Sequence, residues 1–293
     1  MYLWTVFVSF HCPVCIVVND PIFDHAKITI VDAIAREGLL PINPYYAPEG
    51  EKIQLIYYYT WHFLASQLKL LAGVTGWQAE VAFNWFTGLA TVDFLCELAI
   101  RVTKKAIAGV LLLLLALTGP PADLLPWLWG PRWADWVGFP PVHGLELLWI
   151  QMSWVPQHVF SALAVVVLIW LASRILLTPG WQWHDAIVVG LTGAAALGSS
   201  TWVGGVGLAL VLPVLLAMAL WLRLPRDHYI NAFKTAGLAI LICVVFALPL
   251  LISQASGPSV AQSDLPFRLG LYTATSLVNK EPYWGYLAHI VLF

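Results

Sequence analysis

Hydrophobic positions along this chain fall into long runs broken by short polar interruptions. That is the pattern of helices buried on all sides, not of helices with one apolar stripe. Residues 1–18 form a first run, retained as a span because no basic region of a cleavable signal peptide precedes it. Ala79–Ile100, Ala106–Thr118, Val159–Leu177, Ala186–Ser199, Trp202–Leu222 and Ala232–Ile252 follow. About 20 apolar residues cross a bilayer as a helix. The runs therefore predict an all-α integral membrane protein, a polytopic bundle of about seven transmembrane helices. Ala106–Thr118 and Ala186–Ser199 are short for the distance.

Ile53–Gly73, IQLIYYYTWHFLASQLKLLAG, is long enough to cross but holds Gln54, Thr60, His62, Ser66, Gln67 and Lys69 among aromatics. Tyrosine and tryptophan favour the membrane–water boundary, so this segment reads as a helix lying in the interface. If it does not cross, Arg101–Lys105, Arg174 and Arg223–His228 all fall on the cytoplasmic side, as the distribution of basic residues in membrane proteins requires. Asn19–Trp77, Gly119–Gln157 and Ser253–Trp284 are then extracytoplasmic. The expectation is a single transmembrane domain over residues 1–293 in the cell (inner) membrane, with 19–77 as the first outer loop and 253–284 as a late one. The final YWGYLAHIVLF stops without a polar flank and reads as a truncated or split protein, or the start of a further span.

Composition agrees with this setting. Of 293 residues 60% are hydrophobic and 10% charged, against about 25% charged in soluble domains. No basic block suggests nucleic acid, and no Walker or Rossmann phosphate loop is present. Cys96 and Cys243 sit alone in apolar runs, where a thiol acts as a small hydrophobe. Cys12 and Cys15, beside His11, read either as a redox or metal pair or as small residues around a tolerated proline.

Candidate chemistry starts after the first run, in VVNDPIFDHAKITIVDAIAREGLLPINPYYAPEG. Ile28, Ile30, Val31, Ile34 and Ala35 have near-helical spacing up to Gly38, which predicts an amphipathic surface helix. Asp24 reads as its N-cap or as a general base taking a proton from an acceptor hydroxyl. Asp20 is the alternate base, and with Asp24 the place for a divalent metal if there is one. Asp32 reads as a solvated helix residue.

This succession, with AREGLLPINPYYAPEG and then YYYTWHFLASQL, resembles the membrane glycosyltransferases of the GT-C fold. It is most similar to the bacterial branch related to dolichyl-phosphate-mannose protein mannosyltransferases and aminoarabinose transferases. The resemblance covers roughly residues 1–120. It implies an incomplete GT-C fold with surface helices in the first outer loop, and a key acidic residue there, best matched by Asp24. It also implies an inverting transfer of a sugar from a polyprenyl-phosphate donor to a hydroxyl of a glycan, lipid or protein acceptor. A second acidic residue is expected in a later loop, where Asp123, Asp135 and Glu146 are equal candidates. No cofactor is required, and a divalent metal is compatible.

Substrate-binding candidates are His25 beside Asp24, Tyr58 and His62 one helical turn apart, and Trp154, Gln157 and His158 at the outer mouth of the next span. Gln157 and His158 suit a lipid phosphate or sugar hydroxyls, Trp154 a sugar face. The alternative for Tyr58, His62, Trp154 and His158 is plain interfacial anchoring. Arg132 and Arg268 lie on the same side and suit the donor phosphate or anchoring. Asp93, Glu97 and Arg101, spaced by four, read as a surface ion-pair ladder or as a relay. The relay would suit the rival function, a transporter or flippase-like carrier of lipid-linked or small polar substrates. A third reading is a non-catalytic fragment of a larger membrane protein.

Overall fold

The computed structural model describes residues 21–45, 52–118, 148–178, 180–255, 268–269 and 290–291, and nearly all of them are helical. In chain order the helices are α1 (Pro21–Glu37), α2 (Thr60–Ala72), α3 (Gly76–Thr103), α4 (Ala106–Thr118), α5 (Leu148–Trp154), α6 (Pro156–Leu177) and α7 (Trp183–Ser199). A π turn (Thr201–Gly205), α8 (Val206–Leu222) and α9 (Arg226–Ala255) complete them. Expectations that rest on His11, Cys12, Cys15, Asp20, Asp123, Arg132, Asp135 and Glu146 lie outside the described residues.

The amphipathic helix after the first run is present as α1. Pro21 opens it, its ring presetting the backbone angle of a first turn. Gly38 closes it at φ 89°, donating its N–H to the Ile34 carbonyl at 2.8 Å. Asp24 therefore lies inside the helix and is not its N-cap. Ile30, Val31, Ala33 and Ile34 are buried, as the spacing predicts. Asp32 is not simply solvated. It pairs with Lys69 of α2 at 2.6 Å, and Gly76 is so close to its carboxylate that a side chain there would collide.

Chain leading into α2 forms a short antiparallel bridge between Ile42 and Gln54. Asn43 donates to the Ile53 carbonyl at 2.7 Å and Leu55 to the Pro41 carbonyl at 2.9 Å. Thirteen residues of α2 span about 20 Å, short of a hydrocarbon core of about 30 Å. Trp61, His62, Ala65 and Ser66 are buried, on a face that packs against α1 and α3.

α3 opens with a reciprocal cap. Thr75 Oγ1 accepts from the Gln78 N–H at 3.2 Å, and Gln78 Oε1 accepts from the Thr75 N–H at 3.0 Å. Its 28 residues are long enough to cross, but polar positions keep it out of the apolar class that Ala79–Ile100 was expected to join. α4 folds back on α3, with Cys96 Sγ on the Gly109 carbonyl at 3.4 Å.

Three helices among the described residues are long and apolar enough to cross a membrane: α6, the π turn with α8, and α9. α4 and α7, at 13 and 17 residues, are shorter than that. His228 at the start of α9 meets the Leu176 carbonyl at the end of α6 at 2.9 Å, and Arg174 pairs with Asp185 of α7 at 3.2 Å. One end of the bundle thus gathers the end of α6 and the starts of α7 and α9. The opposite end gathers the start of α6, the end of α7 and the start of α2, where Gly198 packs against Thr60.

The chain divides into two compact units at Leu250/Leu251. In the second, two-residue strands Arg268–Leu269 and Ile290–Val291 pair antiparallel.

Candidate functional site

Where α1, α2, α3 and α6 meet, polar side chains are buried that an apolar bundle would otherwise exclude. Lys27 of α1 and Glu80 of α3 form an ion pair at 3.0 Å with side chains 6% and 2% exposed. Asn84, one turn along α3, donates its amide to the same Glu80 oxygen at 2.5 Å. Such a pair is tolerable at this depth because each charge sees the other and Asn84 adds a hydrogen bond to the carboxylate.

His62 of α2 is completely buried. Its Nδ1 lies 3.0 Å from the Tyr58 carbonyl, which makes Nδ1 the donor and leaves Nε2 as an acceptor. Burial pulls its pKa down to about 3, the Tyr58 carbonyl opposing and the Lys27 cation reinforcing the shift. His62 is therefore neutral at physiological pH. Gln157, at the start of α6 and 2% exposed, donates from Nε2 to the Tyr57 hydroxyl at 3.2 Å. His62 Nε2 and Gln157 Oε1 are buried with no hydrogen-bond partner among the described residues. Both are acceptors.

Aromatic rings wall this cluster. The Tyr57 ring meets His62 edge-on at 5.5 Å, Tyr58 meets His158 at 5.7 Å, and Trp61 meets His62 at 5.1 Å. Trp61 also donates its indole N–H to Thr87 of α3 at 3.0 Å. Burial raises the pKa of Tyr57, with the neighbouring Tyr58 adding to it, and burial raises Tyr58 against a hydrogen bond from Thr201. Burial pushes Tyr45 up to about 12, and its hydroxyl donates to the Ala26 carbonyl of α1.

Thr201 reaches Tyr58 because the chain departs from α geometry there. Gly204 lies against the Ala196 carbonyl, where any side chain would collide. Ser161 of α6 donates to that same carbonyl at 2.7 Å, and Ser200 Oγ accepts from the Val203 N–H at 3.0 Å. Isolated π turns of this sort often mark functional sites.

Of the residues singled out from the sequence, Tyr58, His62, Gln157 and His158 come together. Trp154 is half-buried at the end of α5, just before the α6 start. Asp24 and His25 lie on α1 less than one turn before Lys27, described by backbone only. Arg268 is likewise described only as part of a strand. The ladder reading of Glu97 and Arg101 holds: they pair at 2.6 Å with side chains 54% and 61% exposed.

Sequence reasoning missed Lys27, Glu80, Asn84 and Tyr57. Their signals were present. Glu80 and Asn84 stand one turn apart in an apolar run, and Lys27 falls on the buried stripe of Val31 and Ile34. Among the described residues no cluster of three metal-ligating side chains occurs.

The cluster's one cation is engaged by Glu80, and its unpartnered atoms include two acceptors, His62 Nε2 and Gln157 Oε1, and His158 Nδ1, which donates or accepts according to its tautomer.

Comparison with known proteins gives one relative of note. The chain is 34% identical over 240 residues to "Uncharacterized protein y4nK" of Sinorhizobium fredii (strain NBRC 101917 / NGR234). The match takes in 82% of this chain and 36% of that protein, so the chain spans about a third of the relative's length. No family model matches the chain. No solved structure matches it.

Proposed function

We propose that the chain is a membrane glycosyltransferase of the GT-C type, a multi-span bundle of about seven helices. It transfers a sugar from a polyprenyl-phosphate donor to an acceptor hydroxyl on the extracytoplasmic side. The observation that carries the reading is the buried, aromatic-walled cluster with two unpartnered acceptors, His62 Nε2 and Gln157 Oε1. Sugar hydroxyls are the donors that such a site lacks.

In this reading Asp24, on α1 just before Lys27, takes the proton from the acceptor hydroxyl. The oxygen attacks the anomeric carbon opposite the phosphate, the anomeric C–O bond breaks, and polyprenyl phosphate leaves with the electron pair, inverting the centre. Gln157, His62 and Tyr58 hold the sugar. Single displacement needs no cofactor, and a metal at Asp20 and Asp24 stays compatible with it.

A carrier is the second reading, and one observation favours it: an intramembrane-type ion pair, Lys27–Glu80, is the kind of group that relays ions or protons. Its earlier support weakens, because Glu97 is paired on the surface with Arg101.

Membranes containing the chain are incubated with radiolabelled polyprenyl-phosphate hexoses and pentoses, and release of label from lipid is followed. The expected result is release by wild type, loss of at least a hundredfold in Asp24→Asn with donor binding retained, and weakened donor binding in Gln157→Leu. Undiminished release by Asp24→Asn refutes the assigned base. No release from any donor by folded wild type refutes the transferase.

A further inference from the structure

The three helices apolar enough to cross, α6, α8 and α9, also enclose a cleft of ≈ 340 Å³. Ala172 and Leu176 of α6, Leu215 and Ala219 of α8, and Phe233 and Ala236 of α9 line it. Small residues fix where it begins. α7 and α9 touch at Gly190, where a side chain would come within 2.7 Å of the Ala239 carbonyl, and at Gly193, which faces Cys243. From that contact toward Arg226 the helices enclose open space. Tyr229, donating to the Ala219 carbonyl at 2.7 Å, closes the far end.

This end of the bundle is remote from the polar cluster. Gln157 and Ile175 lie eighteen residues apart on α6, about 27 Å along the helix, nearly the thickness of a hydrocarbon core. A lipid in the cleft would come from the leaflet opposite that cluster, so the cleft is a separate site and stands whatever the cluster does.

Charge selects the lipid. Among the described residues Arg36, Arg101 and Arg174 each face a carboxylate within 3.2 Å. Arg223, in the turn after α8, and Arg226, at the start of α9, have no such ion pair and are exposed. Asp227 leaves this turn with net positive charge. Trp181, Trp183 and Trp221 are exposed at the same end, as side chains at the headgroup level are. Guanidinium forks match phosphate oxygens, and apolar walls match an acyl chain.

We propose that the cleft between α6, α8 and α9 binds an anionic phospholipid, with an acyl chain between the helices and the phosphate held by Arg223 and Arg226. The lipid would brace α9 against α6 and α8, where direct packing is loose.

The purified chain in lipid nanodiscs is titrated with spin-labelled phosphatidylglycerol or phosphatidylcholine, and the motionally restricted fraction is read by electron paramagnetic resonance. Phosphatidylglycerol is expected to associate at least about fivefold more strongly, the effect of one basic residue near a surface phosphate. Arg223→Gln with Arg226→Gln brings the ratio toward one and leaves phosphatidylcholine unchanged. Ala236→Phe, which fills the cleft, lowers the restricted fraction for both lipids. Substituting Arg101, Lys104 and Lys105 by Gln leaves the ratio as in wild type. Equal association of the two lipids by wild type overturns the proposal. So does a ratio that survives the double substitution, or one that falls as far with the distant triple substitution. A restricted fraction indifferent to Ala236→Phe overturns it too, and assigns the cleft to cover by protein.

Discussion

The two ends of α6 have opposite chemistry. At its start Gln157 and Ser161 are buried near His62, Tyr57 and the Ala196 carbonyl, and hydrogen bonds tie α6 to α7 and to the segment before α2. At its end the neighbours are aliphatic, a cleft remains between helices, and the polar contacts are confined to the rim, at His228, Tyr229 and Arg174. Dense polar packing holds groups in fixed directions, which recognition of a polar substrate needs. Loose apolar packing in hydrocarbon loses dispersion contacts that lipid chains can restore. One helix thus serves a rigid end and an adaptable one.

Breaking the Lys27–Glu80 pair should cost most. Glu80→Leu leaves Lys27 as a buried charge and is expected to destabilise by about 3–5 kcal/mol, while Lys27→Met with Glu80→Leu recovers most of it. Thermal unfolding in micelles reads both, and a harmless single substitution would remove the claim that this end is the rigid one.

Acid should distinguish the ends next. His62 has a folded pKa of about 3 against the usual 6.5, so the unfolded chain binds a proton between those values that the folded chain does not. Stability is then full above about pH 6.5 and falls as pH drops toward 3, on the order of a few kcal/mol in all. In His62→Gln the loss of melting temperature between pH 7 and 4 should shrink, and an unchanged loss would show that another group titrates there.

Glycines sharpen the contrast. Gly204→Ala pushes a methyl group against the Ala196 carbonyl and should cost about 1–3 kcal/mol. Gly237→Ala meets open space on α9 and should stabilise by up to about 1 kcal/mol. Equal effects at the two sites would erase the difference in packing. Smallest is Glu97→Gln on the exposed ladder, about 0.2–0.5 kcal/mol, and smaller still in high salt.

Patterning along the chain made several features legible. The periodicity of Ile30, Val31 and Ile34 with a closing Gly38 marked α1, because a helix and its left-handed stop are local. Aromatic and polar positions from Tyr57 to Lys69 marked a segment whose helix, α2, is short of a hydrocarbon core. Long apolar runs predicted α6, α8 and α9, since hydrophobicity sums over one segment regardless of its neighbours. The four binding candidates that converge were also picked from sequence, Gln157 and His158 at the predicted mouth of a span and Tyr58 and His62 one turn apart on the interfacial segment.

Tertiary structure alone decided what those groups face. Lys27 and Glu80 are 53 positions apart, and neither residue's neighbours in the chain reveal that the two become partners. Pro21 displaced Asp24 from the cap to the helix interior, and the Lys69 ammonium turned Asp32 from a solvated residue into a paired one. The free acceptors at His62 and Gln157 depend on which atom of each a neighbour already occupies. The cleft depends on where Gly190 and Gly193 let two helices touch and where larger side chains keep them apart. Helix formation and apolar burial are written in single segments of this chain. Ion pairing, hydrogen-bond direction and interhelical space arise only when distant segments meet.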